Sequence, residues 1–155
     1  MSHSELILAS GSQTRKALMD RLGLVYRCIS PDIDESAKGE THADALARRL
    51  SFEKAKVIAE QYPNAIVIGS DQVAWRSHAP LDFIGKPLTP ENAVQQLIAN
   101  SGQTVCFSTG LSIQHLHSGF EKTLVEHYQV KFRELTLDEI QRYVAIEQPL
   151  QCAGS

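Results

Sequence analysis

The chain has 155 residues, 43% of them hydrophobic and 21% charged. That composition gives an ordinary globular domain enough apolar content for a core and excludes low-complexity disorder. A formal net charge of −3 and the lack of any apolar run near ~18–20 residues exclude a strongly basic nucleic-acid binder and a membrane-spanning helix.

The opening Met1-Ser2-His3-Ser4-Glu5 has no basic stretch and leads into only a short apolar one, which predicts no secretory leader. Leu6-Ile7-Leu8-Ala9 predicts a buried strand, and Ser10-Gly11-Ser12 a turn. Residues 14–22 predict a helix closed by Gly23. A strand, a small-residue turn and a helix start present free N–H groups and a partial positive charge, which suits a phosphate. Arg15 falls in that first helical turn. The helix dipole disfavours a cation there unless an anion accompanies it, so Arg15 reads either as a surface residue or as an anion ligand. Residues 25–30 predict a second strand, broken by Pro31. Asp32-Ile33-Asp34-Glu35 then places three carboxylates in four residues. They form either a solvated acidic turn or a metal or base site, since hard divalent cations take oxygen ligands.

Thr41-His42-Ala43-Asp44 resembles a capping box with Asp in place of Glu, and predicts a long helix to about Gln61. Leu46, Leu50, Val57 and Ile58 are its apolar stripe. Lys54 lies midway between Leu50 and Ile58, inside the stripe, where it either snorkels along the apolar surface or aims into a cleft. Ala65-Ile66-Val67-Ile68 predicts a fully apolar strand leading to Gly69-Ser70-Asp71-Gln72. A carboxylate in a central strand is costly to bury, so Asp71 requires a partner or a task. Gly69 admits another backbone or a ligand at close range.

Residues 76–84 read as an irregular loop. Gly85-Lys86-Pro87 is not a P-loop, because Pro87 stands where Ser or Thr is required. Thr89-Pro90-Glu91 is a helix start, and that helix ends near Ser101-Gly102. Residues 104–115 and 123–133 predict two strands around a turn at Ser118-Gly119. Val105, Phe107, Thr109, Leu111 and Ile113 alternate along the first, and Tyr128, Val130 and Phe132 along the second. His115 and His117 read as exposed strand-end histidines rather than a metal pair. Thr136-Leu137-Asp138-Glu139 caps a last helix carrying Ile140, Tyr143 and Val144 and stopped at Pro149. Cys28, Cys106 and Cys152 are widely spaced with no zinc pattern, which predicts a reduced, cytoplasmic setting. Cys152 reads as a small buried hydrophobe rather than a nucleophile. The element order predicts an α/β fold with a mixed sheet.

Taken in order, these segments resemble the Maf family of nucleotide pyrophosphatases. The residues that carry the likeness are Leu6-Ile7-Leu8-Ala9-Ser10 with Arg15, Ser30-Pro31-Asp32-Ile33-Asp34-Glu35, Glu53-Lys54-Ala55, Gly69-Ser70-Asp71-Gln72-Val73 and Gly85-Lys86-Pro87-Leu88. Ser108-Thr109-Gly110-Leu111, Val130-Lys131-Phe132-Arg133 and Cys152-Ala153-Gly154-Ser155 continue it to the end of the chain. The segment from Pro149 to Ser155 looks like the 7-methyl-GTP pyrophosphatase branch.

The resemblance implies a mixed β-sheet with flanking helices and two lobes around a central cleft, as in Maf and ITPase-like folds. It implies one Maf-like domain over residues 1–155, ending before the strand and helix that normally close the family's C-terminus, and a cytoplasmic homodimer. The implied reaction is hydrolysis of a nucleoside triphosphate to the monophosphate and pyrophosphate with Mg²⁺ or Mn²⁺. Asp71 matches the family's proton acceptor, and Ser10, Arg15, Glu35, Lys54, Gln72 and Lys86 match its binding and catalytic positions. Glu35 and Asp71 are the implied metal ligands, while Thr14 and Gln72 bear on base preference. The 7-methyl-GTP branch typically carries tryptophan where this chain has Thr14, and threonine cannot stack on a cationic base. Pyrophosphatases for dTTP or UTP and a non-catalytic nucleotide-binding protein are the alternative readings. Neither nucleic acid nor membrane is an expected partner.

The residues agree with this chemistry. A triphosphate carries nearly four negative charges and the chain is itself acidic, so its cations must gather locally. Arg15, Lys54 and Lys86 come from three separate segments that can converge.

Overall fold

In the computed structural model, which describes residues 4–154, the first apolar run forms strand β1, Leu6–Ala9. Met1, Ser2, His3 and Ser155 lie outside the described residues, and with them much of the leader reading and the last residue of the C-terminal motif. The chain continues through α1 (Gln13–Asp20), β2 (Arg27–Cys28), α2 (Ala43–Gln61), β3 (Ile66–Arg76) and β4 (Ala79–Ile84). It ends with α3 (Pro90–Asn100), β5 (Thr104–His115), β6 (Phe120–Lys131) and α4 (Leu137–Glu147). The six strands form one mixed sheet in the order β2-β1-β3-β5-β6, with β4 paired to β3. β1 runs parallel to both β2 and β3, while β4 is antiparallel to β3. The α/β class with flanking helices therefore stands. Among the described residues no helix is long and apolar enough to cross a membrane.

Contacts divide the chain into two compact units. The first holds the residues up to Glu40, Asp44–Asp71 and Thr109–Glu126. Its core packs Ala55, Ile58 and Ala59 of α2 against Ile7, Ala9 and Val67, with Ala65 beside them. This is the face marked by Leu50 and Ile58 in the sequence. The second holds Thr41–Ala43, Gln72–Ser108 and the residues from His127 on. There Ala93 and Leu97 of α3 meet Ile140 and Val144 of α4, and Ala74, Ile84 and Val105 form a further cluster.

Helix starts follow local hydrogen-bond chemistry. The Ser12 hydroxyl caps α1 by accepting from the Arg15 amide at 3.3 Å. Thr89 and Thr136 cap α3 and α4 by accepting from the Asn92 and Glu139 amides, each at 3.2 Å. The capping box at Thr136 is only half made, because the Glu139 carboxylate accepts from Arg133 at 2.7 Å instead. The long helix begins at Ala43, so the box read at Thr41 is displaced from its start.

Several sequence expectations need correction. The loop expected over 76–84 contains strand β4, which pairs with β3 after the short turn at Ser77 and His78. Pro80 and the Asp82 charge mask a strand that one-sided exposure tolerates. The strand expected over 25–30 shrinks to Arg27–Cys28. Beyond Ile68, β3 continues to Arg76 and takes in Asp71. The strand expected over 123–133 instead spans Phe120–Lys131. Cys152 is exposed, not buried.

In β5 the alternation holds, but the more enclosed side is the small and polar one: Cys106, Ser108, Gly110, Ser112 and Gln114 are buried. Phe107, Leu111 and Ile113 stay half-buried. The reason is α2. A Cβ built on Gly110 would overlap the Ala47 carbonyl oxygen and stand 2.6 Å from the Ser51 hydroxyl oxygen. Gln114 also donates to the Phe52 carbonyl at 3.1 Å. Only small side chains fit beneath a helix that close. Gly110→Ala should therefore cost about 2 kcal/mol through overpacking, read as a lowered urea midpoint at unchanged slope.

Candidate active site

The geometry of the site begins with two parallel strands that end together. β1 and β3 pair in register from Leu6 opposite Ile66 to Ala9 opposite Gly69. In α/β sheets, ligands gather beyond the carboxyl ends of such strands. Just past Ala9, the Ser10 side chain is buried and its hydroxyl accepts from the Ser12 amide at 3.0 Å. Helix α1 starts at Gln13, with Arg15 in its first turn and partly buried.

On the neighbouring strand, Gly69 determines what can reach Asp71. A Cβ there would overlap the Ser51 carbonyl oxygen and stand 2.6 Å from the Ala55 amide nitrogen. The glycine thus lets the backbone of α2 lie directly on β3. Lys54, on that same stretch of helix, is only 5% exposed. Its ammonium donates to Asp71 Oδ1 at 2.7 Å and lies 3.1 Å from Glu35 Oε1. The lysine within the apolar stripe is therefore buried against carboxylates rather than snorkelling to water.

Asp71 is 7% exposed. Burial is the largest influence on its carboxyl and pushes its pKa above the usual carboxylate value. The Lys54 charge and hydrogen bond oppose that rise, as does Arg15 from further off, while the Glu35 charge adds to it. Two cations and two carboxylates thus act on one another within the first unit. Beside Asp71, the Ser70 hydroxyl is buried and donates to the Gly110 carbonyl at 2.8 Å.

The acidic run at 32–35 does not converge as a cluster. Asp32 and Asp34 are exposed, and Asp34 Oδ1 accepts from both the Ser36 amide and the Ser36 hydroxyl. Those bonds hold its carboxyl below the usual range. Only Glu35 reaches the buried pair. Gln72 follows Asp71 with an exposed side chain, and Lys86 is exposed between β4 and α3; both belong to the second unit. Thr14 is exposed in the first turn of α1. His115 bonds Ser118 and the Asn64 carbonyl, in keeping with a strand-end role.

Among the described residues no three His, Cys, Asp or Glu side chains converge as a ready-made metal cage. The two carboxylates on Lys54 are a different kind of donor set. Small hard cations such as Mg²⁺ take one or two carboxylates and complete their shell with water and substrate phosphates, and Glu35 with Asp71 fits that demand.

Arg49 and Glu40 were not singled out in the sequence. Arg49 ion-pairs with Glu40 and lies 3.0 Å from Glu53. The spacing of Arg49 and Glu53, one helical turn apart, is the only local signal of this arrangement. Glu40 comes from an irregular segment whose path no pattern announces.

Comparison with known proteins adds to this geometry. The family profile described as Maf-like protein matches residues 5–155. A protein of Acinetobacter baylyi named nucleoside triphosphate pyrophosphatase is 77% identical over 152 residues, covering 98% of this chain and 77% of that relative. One of Nitrosococcus oceani named 7-methyl-GTP pyrophosphatase is 49% identical over 150 residues, covering 97% of this chain and 74% of the relative. Among solved structures, a HAM1 protein from Coxiella burnetii aligns with a TM-score of 0.50 at 16% identity, over 83% of this chain and 73% of that one, a likeness of fold alone.

Proposed function

This chain belongs to the Maf family, and from that premise we propose that it hydrolyses a nucleoside triphosphate to the monophosphate and pyrophosphate. The observation that carries the reading is the buried Asp71 held by Lys54, with Glu35 on the same ammonium, next to the ends of two parallel strands.

In the proposed reaction a water oxygen bonds to the α-phosphorus and gives its proton to Asp71. The bond from the α-phosphorus to the bridging oxygen breaks, and pyrophosphate leaves with the electron pair. Burial raises the Asp71 carboxyl above the usual carboxylate value, the direction that strengthens a base. Lys54 fixes the orientation of Asp71, and its charge favours the polyanion. Arg15 supplies a planar fork for a phosphate at the start of α1, and Ser10 lines the same strand end. Lys86 and Gln72 match the family's binding positions in sequence, and a part for them in substrate contact is proposed on that likeness. A divalent ion, Mg²⁺ or Mn²⁺, held by Glu35 and Asp71 would neutralise phosphate charge. Positioning and charge neutralisation supply most of the rate.

The finer reading is 7-methyl-GTP as substrate, supported by the names of relatives near half identity; a cytoplasmic homodimer is proposed on the family resemblance alone. Thr14, exposed and unable to stack on a base, weakens that preference, and dTTP or UTP is the alternative substrate.

The test is a panel of 7-methyl-GTP, GTP, dTTP and UTP with Mg²⁺ or Mn²⁺, with monophosphate and pyrophosphate quantified separately. Equal yields of the two products, abolished by EDTA and restored by added metal, are expected. Release of single phosphates would overturn the reading, and nucleotide binding without turnover would favour a non-catalytic protein.

A further inference from the structure

Glu35 sits in a stretch, residues 29–42, with no helix or strand of its own. Its side chain is 58% exposed, and one ion pair at 3.1 Å to Lys54 is its contact with the buried pair. A half-exposed pair of that kind holds a loop only weakly. Something else must deliver the carboxylate to the ammonium.

The neighbouring residues supply the means. The Arg49 guanidinium makes three attachments at once. One nitrogen donates to the Ser36 carbonyl at 2.8 Å, a second to Glu53 at 3.0 Å, and the third to Glu40. The Ser36 carbonyl belongs to the residue directly after Glu35. Asp34, directly before it, accepts from the Ser36 amide at 3.0 Å and hydroxyl at 2.6 Å. Glu40 also accepts from the Lys38 amide at 2.5 Å, and its bond to Arg49 is the main cause that draws its carboxyl pKa down to about 2. Glu53, the anchor on α2, directly precedes Lys54. The segment is therefore stapled to the helix that carries its partner just after Glu35, and the Asp34–Ser36 turn closes across Glu35.

We propose that Arg49 is the positioning residue for Glu35: it binds the Ser36 carbonyl and Glu40 to α2 at Glu53, and so holds Glu35 on the ammonium that also holds Asp71. Lysine cannot replace it, because a point charge cannot reach a carbonyl and two carboxylates in three directions. This role rests on the pyrophosphatase reading for its effect on turnover, but the geometry it describes does not.

The test uses Arg49→Lys and Glu40→Gln, alone and combined with Glu35→Gln. Two quantities are measured: kcat/KM on the best nucleotide, and the nuclear Overhauser contact between the Glu35 side chain and the Lys54 side-chain methylenes, which the 3.1 Å ion pair predicts. Each single change should lower kcat/KM about tenfold through misplacement. In the Glu35→Gln background neither should lower it further, because the residue being positioned is already gone. Arg49→Lys should also abolish the Overhauser contact between Glu35 and Lys54 in a folded protein. Multiplying effects in the combined variants, or an Overhauser contact untouched by Arg49→Lys, would overturn the proposal. A wild-type protein without turnover would sink the pyrophosphatase reading instead, and the Overhauser contact would still decide the role of Arg49.

Discussion

Asp71→Asn is expected to lower kcat by about a thousandfold, the scale of a lost general base, and to cost less stability as pH rises. The first half follows from chemistry: the amide keeps the shape and a hydrogen-bond acceptor for Lys54 but cannot take a proton. The second half follows from linkage. Burial raises the Asp71 pKa, so the folded chain binds that proton more tightly than the unfolded one does. The group's stabilising contribution is complete below the ordinary carboxylate value, and it is lost as pH rises through the raised folded value. Urea titrations at a series of pH values should show the wild type losing ground to Asp71→Asn across that window, with a constant difference below it. Turnover near the wild-type level in a folded Asp71→Asn protein would remove Asp71 from the mechanism.

Lys54→Met should have the larger effect on stability. Methionine fills much of the lysine stem's volume, but it leaves the buried Asp71 carboxylate and Glu35 without the ammonium between them. Breaking a buried pair from one side costs about 3 kcal/mol, here read from urea unfolding at pH 7. The double variant Lys54→Met/Asp71→Asn should recover most of that loss, because no uncompensated buried charge remains. Both proteins should be inactive. Losses that simply add would show that Lys54 stabilises through packing, not through charge.

How much of this could be read from the sequence depends on the range of the interaction. The strand at Leu6–Ala9, the helix ending at Gln61, the cap at Thr89 and the cap at Thr136 are all set by neighbours within a turn or a strand pair. Local chemistry fixes such elements, so local patterns reveal them. Asp71 was legible for a different reason: a charge in a central strand is too costly to be incidental. Its partner was visible only as an oddity, a lysine inside an apolar stripe, and 17 residues separate the two along the chain. Strand β4 was missed because Pro80 and Asp82 imitate a loop, and hairpin pairing with β3 overrides that propensity. Alternation marked β5 but not which of its faces is the more enclosed, because that face answers to the approach of α2, a tertiary demand that alternation cannot express. Arg49 was invisible for the same reason, since two of its three partners lie in a segment without periodicity.

The tight seating of α2 also constrains how the protein can move. Backbone of one helix rests on Gly69 of one strand and on Gly110 of the next, with no side chain at either point to act as a cushion. Sliding this helix along the sheet by even a fraction of a turn would drive a carbonyl into a neighbouring Cβ. Lys54 is thus mounted on a rigid beam. The ammonium therefore stays where the two glycines put it, and the carboxylates must come to it.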